Sequence, residues 1–395
     1  MTDLSRRKFL RSGAAALTAS LAFGSGMHLL PTAAAEAAGP DIRGRIFKGD
    51  APRQIWRWSH EAHSYRKLDG GRVMCGICPN RCLLSPGDRS ICRSKVNRDG
   101  KLYTLVYGNP CAVHVDPIEK KPLYHFQPQS KTFSLATTGC NLRCLNCQNW
   151  EISQAKPHEV RHIELFPPEA VAAAKRASCT SLAFTYSEAI TFFEYTLATA
   201  RMARQAGLSN LLISNGYVNR SPLLELCRVL DAANINLKSF DDGVYRKLNG
   251  GRLQPVLNTL ETLRDNGVHL EITTLVVPGY VDDEEMLKRM CSWILTRVGP
   301  DCPLHFLRFF PRYKLDRLPP TPVDTLTRFR SLALREGIHY VYIGNVPEHE
   351  GNHTYCHQCG KLLIRRQGYI ITAADLVEGR CRFCGTVVPG VWQSI

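Results

Sequence analysis

Beyond residue 38 the chain has no apolar run long enough to cross a bilayer. It has no internal repeat on the scale of roughly 20–50 residues, so a solenoid or propeller is excluded. RNP-like, basic-zipper and finger motifs are missing as well. Acidic residues are the scarce charge, 35 against 50 Lys and Arg, and the formal charge is +15. Without a nucleic-acid motif, that excess reads as an Arg- and Lys-rich surface, an acidic partner or an anionic cofactor. With 44% apolar and 22% charged residues, the composition is neither disordered nor fibrous.

What the chain does have is cysteine, 16 in all. Eleven of them fall into three groups: Cys75/Cys78/Cys82/Cys92, Cys140/Cys144/Cys147 and Cys356/Cys359/Cys381/Cys384. Close C-x2-C spacing suits metal thiolates better than bridges. The remaining Cys111, Cys179, Cys227, Cys291 and Cys302 are scattered and read as small buried apolar residues.

The N-terminus carries an address. "SRRKFLR" precedes the uncharged run Ser12–Met27, and "PTAAAEAAG" offers small-residue cleavage sites. Paired Arg6–Arg7 followed by Lys8-Phe9-Leu10 makes this a twin-arginine signal over residues 1–38, hence an exported protein. That route carries proteins folded around their cofactors, which fits metal-bound cysteines in an oxidising compartment. Removing the segment takes away Arg6, Arg7, Lys8 and Arg11 with Asp3 and Glu36, so the basic character belongs to the rest of the chain.

From Phe133 short β-rich runs alternate with helical stretches. The strands are "FSLATT", "SLAFTY", "NLLISN", "INLKSF", "HLEITTLVV", "PLHFLRFF" and "YVYIGN". Helices are expected over 168–178, 190–206, 221–231, 252–266, 283–297 and 322–337. Repeated βα units without an eighth predict an α/β fold, a partial (β/α)6-type TIM barrel over residues 131–350. A small Cys-rich domain over 39–130 precedes it, and a zinc-ribbon-like domain over 351–395 follows.

"GCNLRCLNCQNW" places Cys140, Cys144 and Cys147 just after the first of those strands, where the chemistry of such folds sits. A four-iron, four-sulfide cluster needs four ligands, so three cysteines leave one iron open to an amine and a carboxylate. The competing reading is zinc completed by a distant His or Cys. C-x3-C-x2-C in this position resembles the radical S-adenosylmethionine (radical SAM) superfamily. The resemblance implies a [4Fe–4S] cluster on these cysteines, with SAM on the open iron. It also implies a low-potential donor whose electron cleaves SAM to methionine and a 5′-deoxyadenosyl radical that abstracts hydrogen from a substrate. Matched positions at later strand ends would serve SAM: Glu188 its amine, Ser214 and Asn215 its ribose and carboxylate, with Lys238 and His305 at the same mouth. Each has a plainer reading: a helix cap for Glu188 or Asn215, a solvated Lys238, a core His305.

"VDPIEKKPLYHF", "TTLVVPG", "HFLRFFPRYKL", "PPTP" and "NHTYCHQCG" extend the resemblance to the AmmeMemoRadiSam-system radical SAM enzymes, relatives of pyruvate formate-lyase activating enzyme. Those enzymes accompany a Memo-type and an AMMECR-type protein. A glycyl-radical-type protein is the substrate the activating-enzyme likeness suggests, although the resemblance itself supplies none. Three positions depart from it: Asn146 replaces the aromatic expected before the third cysteine, Ala189 a proline and Asn236 an aspartate. Trp150 is the aromatic that would take over the adenine contact. The charged run Asp116–Pro122 reads as a solvated loop or as a lid over the barrel mouth.

The tail reads C-x2-C-x21-C-x2-C, with Gly360 and Gly385 after each pair, and predicts structural zinc with rubredoxin-like iron as the competitor. For Cys75/Cys78/Cys82/Cys92, a zinc staple, an auxiliary iron–sulfur cluster and disulfides all stay open. A second class of function fits the same cysteines: a metal-stapled binding or scaffold protein with zinc or an inert cluster.

Overall fold

The computed structural model describes residues 53–392, so the expected twin-arginine segment lies outside the described residues. Its centre is one eight-stranded sheet. We number its strands β1 (Ala112–Pro117), β2 (Lys131–Ala136), β3 (Ser181–Phe184), β4 (Ser209–Ser214), β5 (Ala232–Asn236), β6 (His269–Val276), β7 (Leu304–Arg308) and β8 (Val341–Gly344). They lie in sequence order from one edge to the other. β2 to β8 are parallel throughout, and β1 pairs antiparallel with β2 through Ala112–Ala136 to Pro117–Lys131.

Six helices fill the crossovers: α1 (Pro167–Arg176), α2 (Phe193–Gln205), α3 (Arg220–Cys227), α4 (Leu253–Asp265), α5 (Glu284–Arg297) and α6 (Val323–Glu336). Proline opens α1, the Asp283 carboxylate caps α5 at the Met286 amide, and left-handed Gly337 ends α6. Parallel neighbours joined by right-handed crossovers put all these helices on one face. Strand alternation sends Leu182, Phe184, Leu212, Ile235, Ile272 and Phe306 into the main apolar core with those helices. Among the described residues no helix is long and apolar enough to cross a membrane.

The opposite face of the sheet carries small and polar side chains, and the segment Ile118–Phe126 packs against it. Ile118, Leu123 and Phe126 cluster with Ala183, Leu211 and Ala232. Asn234 donates to the Pro122 carbonyl, and the His125 amide makes a buried bond to Glu271. This stretch is therefore neither a solvated loop nor a lid. It is a plug, and Asp116, at the end of β1 just before it, is paired with Lys120 and Lys121 and accepts from the Tyr186 hydroxyl.

Two small β assemblies flank the sheet. In the N-terminal region, strands 65–67, 73–75 and 83–84 form one sheet and strands 60–61, 101–104 and 95–98 another. In the tail, Thr354–Tyr355, Leu362–Gln367 and Ile370–Ala374 form a three-stranded sheet. Its core is joined by Tyr124, Tyr340 and Tyr342.

Candidate active site

The loop after β2 carries Cys140, Cys144 and Cys147, all partly buried. Its shape is fixed by main-chain bonds to a π-helical turn, Tyr245–Asn249: Arg143 N donates to Asn249 O (2.8 Å) and Leu145 N to Leu248 O (2.8 Å). π-turns recur at functional sites because they re-aim one side chain. Here that side chain is Asn249, whose Nδ2 lies 3.3 Å from Cys144 Sγ. Asn215 Nδ2 lies 3.7 Å from Cys140 Sγ and donates to Asn141 Oδ1 at 2.9 Å. The Leu142 amide also points at Cys140 Sγ (3.4 Å). N–H donors on cluster thiolates stabilise the more negative state and raise its potential.

Glu188, 1% exposed, organises the wall beside Cys140. Its Oε1 accepts from Ser214 Oγ (2.7 Å) and the Ile190 amide (3.0 Å), and its Oε2 from the Asn215 amide (2.8 Å). It thus caps the short helical turn Ala189–Phe192 and ties the ends of β3 and β4 together. Burial pushes its carboxyl up, against those three donors and the field of Lys238. Burial also pushes the Cys140 and Cys147 thiols up, reinforced by Glu188 and by Cys144 respectively, while Lys238 favours the Cys147 thiolate. The Cys140 and Cys147 thiols are therefore costly to ionise alone; a cationic iron–sulfide core would remove that cost.

Polar atoms around the loop test whether such a group and its ligand fit. Asn146 Oδ1, Asn249 Oδ1, Asn236 Oδ1 and Thr137 Oγ1 are buried and find no hydrogen-bond partner in the protein. Two of these lie beside the cysteines, Asn146 next to Cys147 in the loop and Asn249 against Cys144, and suit a polar ligand seated there. The three sulfurs do not converge as single-ion ligands do. Among the described residues, the tail cysteines form the set of three or more ligand groups whose atoms all lie within 4.8 Å of one another.

Lys238 follows the end of β5 by two residues and its amide takes the Tyr245 hydroxyl (3.0 Å). His305 stands apart from this group. It lies on the plug-facing side of β7, where its Nε2 donates to Glu271 Oε2 (2.6 Å) and its ring stacks on Tyr342. Trp150 is exposed and stacks on Tyr313 at 5.3 Å. Asn249, which donates toward Cys144, lies in no motif that a sequence reading could use, and Asn141, inside the cysteine motif, reaches Cys140 only through Asn215.

In the tail, Cys356 and Cys384 Sγ are 3.6 Å apart, and Cys359 and Cys381 Sγ 3.7 Å. Four thiolates around one zinc at ~2.3 Å stand ~3.8 Å apart, so the spacing fits a single tetrahedral ion. Hydrogen bonds from Thr386 hold the Cys384 thiol down at about 6. Cys75, Cys78, Cys82 and Cys92 share the lining of a separate small cavity of about 10 Å³.

The sequence profile of the Radical SAM superfamily matches residues 134–291, which span β2 to α5 with the cysteine loop and Glu188. An uncharacterized protein of Methanocaldococcus jannaschii is 44% identical over 329 residues, 82% of this chain and 97% of that protein. Residues 134–291 are a radical SAM superfamily domain. Membership implies SAM and an iron–sulfur cluster. Pyruvate formate-lyase 1-activating enzyme of Escherichia coli K12 is a more distant relative, 25% identical over 213 residues, 50% of this chain and 87% of that enzyme. A solved domain of pyruvate-formate lyase-activating enzyme from Bacteroides vulgatus is 16% identical, covering 42% of this chain and 99% of the domain, with a TM-score of 0.37.

Proposed function

We propose that this radical SAM protein is an activating-enzyme-like catalyst. Cys140, Cys144 and Cys147 hold a [4Fe–4S] cluster whose remaining iron takes the SAM amine and carboxylate. When bound and reduced by one electron from a low-potential donor, the cluster breaks the S–C5′ bond, releasing methionine and a 5′-deoxyadenosyl radical that takes hydrogen from a substrate. The observation that carries the reading is the loop itself. Its partly buried sulfurs are too dispersed for one ion, two receive side-chain N–H groups, and Asn146 and Asn249 beside them carry buried, unpartnered oxygens.

In this reading Glu188 acts mainly by position, aligning Ser214 and Asn215 at the end of β4. Asn249 and Asn215 tune the thiolates, and Lys238 offsets negative charge beside Cys147. Asn146 and Asn236 present their free oxygens to SAM or substrate. His305, held by Glu271, packs on Tyr342 under the plug and takes no part in SAM binding in this reading.

The finer features follow the same proposal. The sheet curls into a partial barrel around the plug, and the tail is a zinc ribbon. The protein is of AmmeMemoRadiSam type, exported by its twin-arginine segment. Its substrate is a protein, of Memo, AMMECR or glycyl-radical type. Such a compartment requires an anaerobic source or an extracytoplasmic electron donor. The test is anaerobic reconstitution with iron and sulfide, reduction by dithionite and addition of SAM. Formation of 5′-deoxyadenosine is expected; its absence from a fully loaded protein counts against the enzyme reading.

A further inference from the structure

The N-terminal cysteines were open between zinc, an iron–sulfur cluster and disulfides, and their arrangement separates these. Cys75 ends the strand Val73–Cys75, and its amide takes the Cys82 carbonyl (3.0 Å), closing the turn that carries Cys78. Left-handed Arg81 and Arg93 bend the chain beside Cys82 and Cys92. The result is four cysteines facing one small cavity of about 10 Å³, together with Asn80, Ser90 and Lys95. All four are free thiols. Unlike the tail set, no three of their sulfurs gather within 4.8 Å of one another, which a tetrahedral zinc staple requires.

The remaining lining suits a larger anionic centre. Ser90 Oγ lies 3.0 Å from Cys92 Sγ, and Ser94 Oγ, which donates to the Thr191 carbonyl, lies 3.2 Å from it. Lys95 brings a cation that is 1% exposed, its position fixed by Glu194 at 2.6 Å. The cavity also shares a wall with the cysteine loop of the sheet. Asn141 and Thr191 line it, Asn80 Nδ2 donates to Asn141 O (2.7 Å), and Thr191 Oγ1 to Gly139 O (3.3 Å). Gly139 adopts φ 105° and packs so closely on the Cys92 carbonyl that any side chain there would collide with it.

We propose that Cys75, Cys78, Cys82 and Cys92 bind a second, four-thiolate iron–sulfur cluster beside the first. Four protein ligands close its irons, so it does not bind SAM. Anaerobically reconstituted protein is expected to carry about eight irons and about one zinc per chain. The triple variant C140A/C144A/C147A keeps about four irons, and its reduced EPR signal does not respond to SAM. The double variant C75A/C78A loses the complementary set and keeps the SAM-responsive signal. Two zincs per chain, or a triple variant without iron, overturns the second cluster, and the triple variant decides the matter even if C75A/C78A does not fold. Failure of the SAM reading looks different: the triple variant would retain all the iron of the unsubstituted protein, leaving the second cluster standing.

Discussion

The tail and the β2 loop both gather cysteines at C-x2-C spacing, yet they do so differently. In the tail four sulfurs close on one point, with pairs 3.6 and 3.7 Å apart and Gly360 and Gly385 freeing the backbone to turn. In the loop three sulfurs stay apart, and the surroundings supply what the tail lacks: amide donors, a buried carboxylate and unpartnered oxygens. A structural ion needs only its ligands, whereas a reactive centre needs an open position and walls that orient what binds there. Cysteine spacing alone gives the ligands; the walls tell the two kinds of site apart.

The sharpest break between them comes from removing ligands. Cys144→Ala is expected to reduce 5′-deoxyadenosine formation to background while zinc per chain stays unchanged. Cys356→Ala with Cys359→Ala should do the reverse, abolishing bound zinc and lowering the unfolding midpoint with SAM cleavage per folded molecule retained. Metal analysis beside product chromatography reads both.

Acid should strike the tail side first. His125 joins the plug to the tail, with Nδ1 2.7 Å from Pro389 O and Nε2 2.6 Å from the Tyr342 hydroxyl. Burial lowers its imidazole from 6.5 to about 4. Between those values the unfolded chain binds the proton that the folded one refuses, so stability falls as pH drops through the window, by about 3 kcal/mol. Below it Glu271 adds a loss in the same direction. Burial opposes its charge, but hydrogen bonds from His269 and His305 hold it well below the usual carboxylate range. Urea unfolding at pH 7.5 and 5 measures the slope, and His125→Asn should flatten its upper part.

Substitutions in the walls should have smaller effects. Glu188→Gln loses the charge that three donors converge on, and about 10- to 100-fold lower SAM cleavage is expected from charged hydrogen bonds worth ~1.5–3 kcal/mol. Asn249→Ala removes one N–H from Cys144; a lower cluster potential and a loss of about fivefold in rate are expected, near 1 kcal/mol. Potentiometry separates that tuning from simple loss of packing.

Much of the sheet was legible in the sequence, since all seven expected strands became β2 to β8 with helices between them. Two misplacements have physical causes. "AVHVDP" lacks a clean apolar alternation because β1 pairs with β2 alone and leaves His114 and Val115 exposed. β5 starts at Ala232 rather than Ile235 because parallel pairing with β4 and β6 overrides the weak strand preference of Ala232–Ala233. The cysteines of the candidate site were readable from spacing, and Glu188 as a cap from its place before a helical turn. Asn249 was not readable, because its amide becomes a thiolate partner only when a distant turn brings it there, and the bond from Asn215 to Asn141 needs the end of β4 in place. His305 was expected at the mouth, yet its partner Glu271 lies on the neighbouring strand, a pairing that only the register of β6 with β7 reveals.

The most direct measurement is ENDOR on the reduced protein, run with SAM labelled by 15N at the amine and 17O at the carboxylate. If Cys140, Cys144 and Cys147 leave an iron open, both labels couple to the cluster spin, and the coupling survives C75A/C78A but not Cys144→Ala. A loaded, reduced cluster at these cysteines that binds SAM without either coupling would contradict the account.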